Sequence, residues 1–444
     1  MPENHASLFN AGLRAMSVNA GPSPSLATRW LEALVAVRPA ERMPALLAFT
    51  FIFVLMAAYY VLRPVRDALA SDWSDAEVSL LWTVNFGLCV VVVAVYGYVV
   101  SRARLRYVVP GLYACFAASF FGFHLLARDV GQAPLAAKAF YVWVSVFSLF
   151  HVSVFWSFMA DLFDREQARR LFPLIAAGAS AGALAGPLVP VLLGAALPAA
   201  TLMLIAALML CLPLPLALAL GRMRGALSHA APAPDPEARL GGHPLRGFGL
   251  LFTHPRLLGI ALFLLLFTMV NSFFYFEQKN LLEDYELATR MRLLGMVDWL
   301  TNLLTFLLAF FATSRLLGRL GMGATLALLP ALAAGGLLCL ALAPAALLLL
   351  ALQVFRRAGE YAITRPAREM LFTQVDRETR FKAKPVIDTV VYRGGDTLTS
   401  WAFAGLSHGL GLGLGALAAV GVFIAALWAL VGYRLGRAFD DGVP

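Results

Sequence analysis

Polar residues in this chain fall in clusters separated by apolar runs of about 20 residues, the length an α-helix needs to cross the hydrocarbon core of a bilayer. Twelve such runs can be marked, at approximately 43–63, 79–100, 107–127, 138–163, 171–193, 198–220, 257–278, 291–313, 322–343, 345–371, 385–409 and 411–433. The longest polar interruption, Gly221–Arg256, is rich in Pro, Ala and Gly and predicts a flexible linker between two halves of six spans. The pattern therefore predicts an all-α membrane protein: an N-terminal segment over 1–42, a six-helix bundle over 43–220, a linker over 221–256 and a second bundle over 257–444. In the N-terminal segment, Leu26, Trp30, Leu31, Leu34 and Val35 recur at helical spacing. That spacing fits an amphipathic helix on the membrane surface or a plain lead-in to span 1, and the short apolar core of a cleaved signal peptide is lacking.

Composition agrees with the pattern. The chain is 60% hydrophobic and 14% charged, with a mean hydropathy of +0.77, outside the range of soluble domains. The basic residues orient it. With both termini on one side, twenty-three of the 35 Lys and Arg fall in segments on that side and seven on the other, and the remaining five lie within spans 10 and 11. By the positive-inside tendency both termini are cytoplasmic. The net charge of +9 then reflects orientation, and nucleic-acid binding is not needed to explain it.

The charges inside the spans carry the functional signal. Each costs roughly 2.5–3.5 kcal/mol at a helix centre, so it faces a partner or a water-filled cavity rather than lipid. Span 10 holds six: Arg356, Arg357, Glu360, Arg365, Arg368 and Glu369. A helical projection from Arg357 places Gln353, Glu360, Tyr361, Thr364 and Arg368 on one face, with Arg365 just beyond. On this reading Arg356 pairs with Glu360 and Arg365 with Glu369, leaving Arg357 and Arg368 for an anionic ligand, to which a guanidinium fork donates two parallel hydrogen bonds. Span 1 ends YYVLRPVRDALA, where Arg63 and Asp67 are four apart and Pro64 can aim Arg66 inward. Lys279, at the end of span 7, is the counterpart of Arg66 in the second half. Span 11 carries Asp388, Tyr392 and Asp396 in one stripe, with Arg393 beside them. Asp161 reads as a gate or loop partner, and Asp298, isolated in span 8, as a gate or proton carrier. Asn85, Asn271 and Asn302 read as interhelical glue, and His124 and His151 as packing residues.

The halves resemble each other. DREQARRLFPLI after span 4 and DRETRFKAKPVI after span 10 share Asp, Arg, Glu, Pro and Ile at a constant offset, with Arg170 against Lys382. Six-plus-six parallel repeats are the architecture of the major facilitator superfamily, with the solute site between the halves near the midplane. In span 5, Gly178, Gly182 and Gly186 recur every four residues, the spacing for close helix contact. Cys89, Cys115, Cys211 and Cys339 show neither metal spacing nor a disulfide framework. The sequence lacks a phosphate-cradling loop, paired zinc ligands and a nucleophile elbow, so it points to no enzyme, cofactor or metal site.

Several phrases resemble the nucleotide (ATP/ADP) translocase family of plastids and intracellular bacteria and its free-living bacterial relatives. That family's span 1 reads like Y-x-x-L-R-x-x-K-D, and this chain has YYVLRPVRD; PAREM, DRETRFKAK and VID resemble its span 10–11 stretch, and VFWSFMADLF with EQARRLFPLI its span 4–5 stretch. The resemblance implies a major-facilitator-type fold and nucleotide exchange, with Arg66 standing where the family has a nucleotide-contacting lysine. A second family lysine falls at about Asp396, where the charge is reversed.

These readings predict a secondary transporter, working by alternating access, for an anionic, phosphorylated, nucleotide-like metabolite. Arg66, Lys279, Arg357, Glu360, Arg368 and Tyr392 would line its solute site. Arg63, Asp67, Asp161, Asp298, Arg365, Glu369, Asp388, Arg393 and Asp396 would gate it or balance its charge. Its expected partners are the lipid bilayer and the solute, with the chain acting as a monomer. Two alternatives stay open: proton-coupled transport of another organic solute, and a non-transporting membrane protein that recruits a partner.

Overall fold

A computed structural model describes residues 38–102, 105–127, 134–227, 254–311, 313–372 and 386–441. Among them every regular element is a helix, and the expected twelve-span architecture is present. The first half comprises α1 (Arg42–Ala70), α2 (Asp75–Arg102), α3 (Leu105–Ala127), α4 (Pro134–Leu162), α5 (Arg165–Ala185, continued by Leu188–Leu193) and α6 (Ala199–Cys211, continued by Pro213–Leu227). The second comprises α7 (Pro255–Leu281), α8 (Leu287–Phe311), α9 (Thr313–Leu342), α10 (Ala346–Gly359, Glu360–Thr364 and Arg365–Leu371), α11 (Val386–Val391, Tyr392–Ala404 and Gly405–Gly409) and α12 (Leu414–Asp440). The face on which α1 begins and α12 ends is called the near face, the opposite one the far face. The surface segment around 26–35, most of the linker and the DRETRFKAK phrase with Lys382 lie outside the described residues.

Among the described residues ten helices are long and apolar enough to cross a membrane. The other two spans are α10 and α11, and both depart from regular α-helix through π turns at Glu360–Thr364, Val386–Val391 and Gly405–Gly409. In α10 the wide turn lies just before Pro366, which lacks an N–H and whose ring crowds the carbonyl four residues back; widening relieves that clash. It also rotates everything beyond it, so a 100° projection from Arg357 loses its phase after Gly359.

Local chemistry sets several boundaries. Ser74 and Glu77 form a capping box that starts α2, with Glu77 N–H donating to Ser74 Oγ at 3.2 Å and Ser74 N–H to Glu77 Oε2 at 2.9 Å. Asp164 and Gln167 do the same for α5. In α9 the chain turns at Gly321, whose φ of 74° suits glycine, so the apolar span proper starts at Met322. α1 runs seven residues past the expected end at Arg63 because Arg63, Arg66 and Asp67 face the interior and find partners there; Pro64 is buried within it and does not stop it. On the near face, Arg170 clamps Glu41 with two bonds of 2.8 and 2.9 Å, fixing the start of α1 against α5.

Two large apolar clusters form the interior. One is centred on α1, α3, α4 and α6 and takes in Met291, Leu294 and Val297 of α8 and Leu350 and Val354 of α10; the second is centred on α7, α9 and α12. The glycines at four-residue spacing in α5 lie against α1: a Cβ at Gly178 would stand 2.6 Å from the Phe49 carbonyl oxygen, and one at Gly186 2.6 Å from that of Ala57. Without a hydrophobic drive between helices in lipid, such backbone approach supplies much of the attraction. Gly182→Ala is accordingly expected to push α5 off α1 and lower the thermal unfolding midpoint in detergent, at a cost of about 1–3 kcal/mol. Gly87→Ala, where a Cβ meets nothing within 4 Å, should leave the midpoint unchanged.

Candidate functional site

Between the halves lies a cavity of about 680 Å³. α1 contributes Tyr59, Arg63, Arg66 and Asp67; α2 Trp82 and Asn85; α4 Tyr141 and Ser145; α7 Phe267, Asn271 and Tyr275; and α8 Asp298. α10 contributes Gln353, Arg356, Arg357, Glu360, Tyr361, Arg365, Arg368 and Glu369, and α11 Asp388, Tyr392, Arg393 and Asp396. Seven arginines thus face six carboxylates across an aromatic-lined space.

Midway along the cavity, Asp298 is shared by both halves. Its Oδ1 accepts a 2.6 Å bond from Arg357 Nη2 and lies 3.5 Å from Arg63 Nη1. Arg63 also lies 3.7 Å from Asp67. Toward the far face, Arg66 donates to Asp67 Oδ1 at 2.8 Å and to Ser145 Oγ at 3.3 Å, with its guanidinium 5.5 Å above the Tyr141 ring. The hydroxyls of Tyr141 and Tyr275 meet at 2.8 Å, and Trp82 donates to Tyr141 at 2.7 Å, forming an aromatic floor that crosses the halves.

Beyond this floor the far face is shut. Lys279 donates to the Trp73 carbonyl and lies 3.1 Å from Asp75 Oδ1, while Asp75 Oδ2 accepts from Ser407 at 2.8 Å and from Asn280 at 3.4 Å. Arg290 bonds Asp72 at 2.5 Å and the carbonyls of Tyr285 and Glu283 at 2.6 Å. Lys279 and Asp75 expose 3% and 2% of their side chains, whereas Glu369 and Asp388 at the near end of the cavity expose 40% and 34%. The cavity therefore opens toward the near face.

The structure brings together all but two of the residues singled out in the sequence. Lys279 lies in the far-face layer rather than on the cavity wall, because α7 carries its amine to the carboxylate that opens α2. The backbone of Asp161 is in α4, and its side chain lies outside the described set. The pairings within α10 differ from expectation. Arg356 donates to Gln353 at 2.6 Å and stacks 5.0 Å over Phe274, with no hydrogen bond or ion pair to Glu360, which begins the π turn. Glu369 is drawn to Arg368 at 3.5 Å, and Asp388 lies 3.8 Å from the same guanidinium. Arg365 consequently makes no ion pair with a described carboxylate. The two arginines expected to be structural lack a carboxylate partner, and the two expected to be available, Arg357 and Arg368, have one. Arg393 lies 3.9 Å from Asp396, whose Oδ1 is buried without a hydrogen bond, as is Glu360 Oε2.

Asn302 does serve as interhelical glue, donating to the Ala183 carbonyl at 3.0 Å and accepting from Tyr60 at 3.3 Å, whereas Asn85 and Asn271 line the cavity. His124 bonds the Ala200 carbonyl, and His151 bonds the Phe147 carbonyl and stacks on Tyr59; neither lines the cavity. Sequence reasoning missed the far-face layer of Asp72, Asp75 and Arg290. Its acidic residues flank a capping box and so read as a helix start, and their basic partners stand more than 200 positions away.

Asp298 provides the sharpest test of this geometry. Asp298→Asn strands the Arg357 guanidinium, leaves Arg63 only Asp67, and is expected to cost about 3–5 kcal/mol in unfolding free energy. Arg357→Gln leaves Asp298 with Arg63 and should cost less. Equal unfolding curves for the two variants in detergent would contradict the shared pair.

Comparison with solved structures gives extended matches. A bacterial homologue of the human lysosomal transporter Spinster, solved inward-facing and unoccupied, aligns over 91% of this chain and 98% of its own, with a TM-score of 0.56 and 13% identity. A POT family transporter in complex with a thioalcohol-conjugated peptide aligns over 90% and 96%, with a TM-score of 0.61 and 12% identity. The nucleoside transporter NupG aligns over 91% and 99%, with a TM-score of 0.55 and 14% identity. No family model and no curated protein sequence matches the chain. At this identity the likeness is one of fold: the chain has the twelve-helix, six-plus-six architecture of major facilitator-type transporters.

Proposed function

We propose that the chain is a secondary transporter that moves an anionic organic solute, phosphorylated or nucleotide-like, across a bacterial inner membrane by alternating access. The observation that carries this reading is the arginine-rich, aromatic-lined cavity, open to one face and shut from the other by the buried Lys279–Asp75 pair and the Arg290–Asp72 pair at its rim. Alternating access rocks one half against the other around a central site. The basic residues counted along the chain make the near face cytoplasmic, so the described state is open inward.

Arg365 and Arg356 are the first contacts for the solute's anionic group, because neither has to give up a carboxylate. Arg357, Arg368 and Arg66 can join only by releasing Asp298, Glu369 with Asp388, and Asp67. A solute that takes Arg357 leaves Asp298 to Arg63 alone and so changes the pairing between the halves, and that exchange links binding to rocking. Tyr361, Tyr392, Phe267 and Tyr59 offer faces against which a planar base can stack. Counterflow in proteoliposomes loaded with ATP, ADP and simple organic phosphates tests the proposal. Arg365→Gln is expected to lower uptake about tenfold or more, the weight of one charge-assisted hydrogen bond pair. Arg66→Ala and Arg368→Ala should also reduce it. Uptake untouched by all three would remove the anion site.

A second reading has its own observation. With seven arginines against six carboxylates the cavity is close to charge-balanced, and Glu360 and Asp396 each keep a buried oxygen without a hydrogen bond. That arrangement suits proton-coupled transport of a solute bearing both charges. Uptake that requires a pH gradient and ignores solute on the opposite side would favour it over exchange.

A further inference from the structure

Glu277 stands near the far end of α7 and takes no part in the cavity. It is 1% exposed, makes no hydrogen bond or ion pair among the described residues, and its Oε1 is buried without a partner. Its charged surroundings can be named element by element. On α2 stands Asp75, a like charge, already held by Lys279, Ser407 and Asn280. Lys279, two residues further along α7, is taken up by Asp75 and the Trp73 carbonyl. At the end of α11, Ser407 Oγ lies 3.1 Å from Nδ1 of the exposed His408. In the α1–α2 loop Asp72 belongs to Arg290, and deeper on α1 Arg66 and Asp67 pair with each other. The far ends of α9, α10 and α12 (338–342, 346–350 and 414–418) carry no charged residue. Besides the Arg290–Asp72 pair, the charges around Glu277 are thus the Asp75 carboxylate and the Lys279 ammonium, and the ammonium is committed to Asp75.

An ionised carboxylate buried without a cation or a donor is far costlier than the neutral acid, so with the far face shut Glu277 favours its neutral form. Opening that face separates α2 from α7, lets water reach Glu277 and removes the cost of charge. We infer that Glu277 is a proton-binding site of the far-face gate, protonated while the gate is shut and giving its proton to water on the far side when the gate opens. No bond other than the O–H is exchanged: the proton leaves Glu277 for a far-side water on opening and returns from that side on closing. By linkage the state that binds the proton more tightly is favoured at low pH, so acid holds the gate shut and base opens it. The inference rests on the alternating-access part of the proposed function and is independent of the solute.

The test needs no solute. Spin labels at Ala76 and Glu286, both exposed on the far face, report gate width in protein reconstituted into vesicles after its four cysteines are replaced by serine. Between about pH 5 and about pH 9 the ratio of open to shut populations is expected to rise by up to about tenfold per pH unit within the window where only the shut form is protonated. Glu277→Gln keeps the shape of the neutral acid and should stay shut at every pH, with loss of one protonated-carboxyl band in the infrared spectrum. His408→Gln should keep the wild-type response. Asp72→Asn, which takes the carboxylate from Arg290, should widen the label distance and serves as the opening control. A flat wild-type response while Asp72→Asn opens, a titration unchanged in Glu277→Gln, or a response lost in His408→Gln would each overturn the proton site and leave alternating access standing. Labels that never separate, in Asp72→Asn included, would bring down both.

Discussion

Asp298 lies between Arg63 of the first half and Arg357 of the second, and the architecture around the cavity turns on that arrangement. A charge at membrane depth is tolerable only when paired or wetted. Here each of three helices carries a charge it could not bury alone, so α1, α8 and α10 are held together by mutual need. The coupling is also breakable. One carboxylate serves two guanidiniums, and an anion that satisfies Arg63 releases it from Asp298 and with it the ion pair between the halves. A hydrophobic contact in the same place would hold the halves together without offering a ligand any way to part them.

The charges sort by depth into layers with different work. The far-face layer, with Asp75, Lys279 and Arg290 buried and Asp72 at its rim, is supported by backbone carbonyls, which suits a lock. The middle layer is paired across the halves, which suits transmission. The layer toward the near face, with Arg365 and the half-exposed Glu369 and Asp388, is the most open of the three, which suits capture. The π turn in α10 helps bring this about. By rotating the segment beyond Gly359 it leaves Arg356 and Arg365 without a glutamate and delivers Arg368 to the carboxylates at the cavity mouth.

Much of the fold is legible in the chain because the bilayer imposes a one-dimensional rule. Backbone polar groups must be satisfied within each segment, so spans appear as uninterrupted apolar runs and their ends as polar clusters. Expected and observed limits agree within two residues for α9 and α10, at 322–343 against Met322–Leu342 and 345–371 against Ala346–Leu371. The rule was least reliable where charge was taken as the end of a span, as at Arg63, because pairing with Asp67 and Asp298 lets charges continue inside.

The sequence by itself determined the twelve spans, the division into two halves and the identity of nearly all the cavity's charged residues, since an Arg, Asp or Glu in an apolar run has nowhere else to go. Only the tertiary structure decided which charges pair. A guanidinium reaches several carboxylates on neighbouring helices, and the choice among them depends on rotations of a few tens of degrees and on partners hundreds of residues apart. Arg357 takes Asp298 rather than standing free, Lys279 closes the far face rather than lining the cavity, and Glu277 is left alone beside an occupied lysine. Those assignments follow from helix phase and packing, which no local spacing encodes.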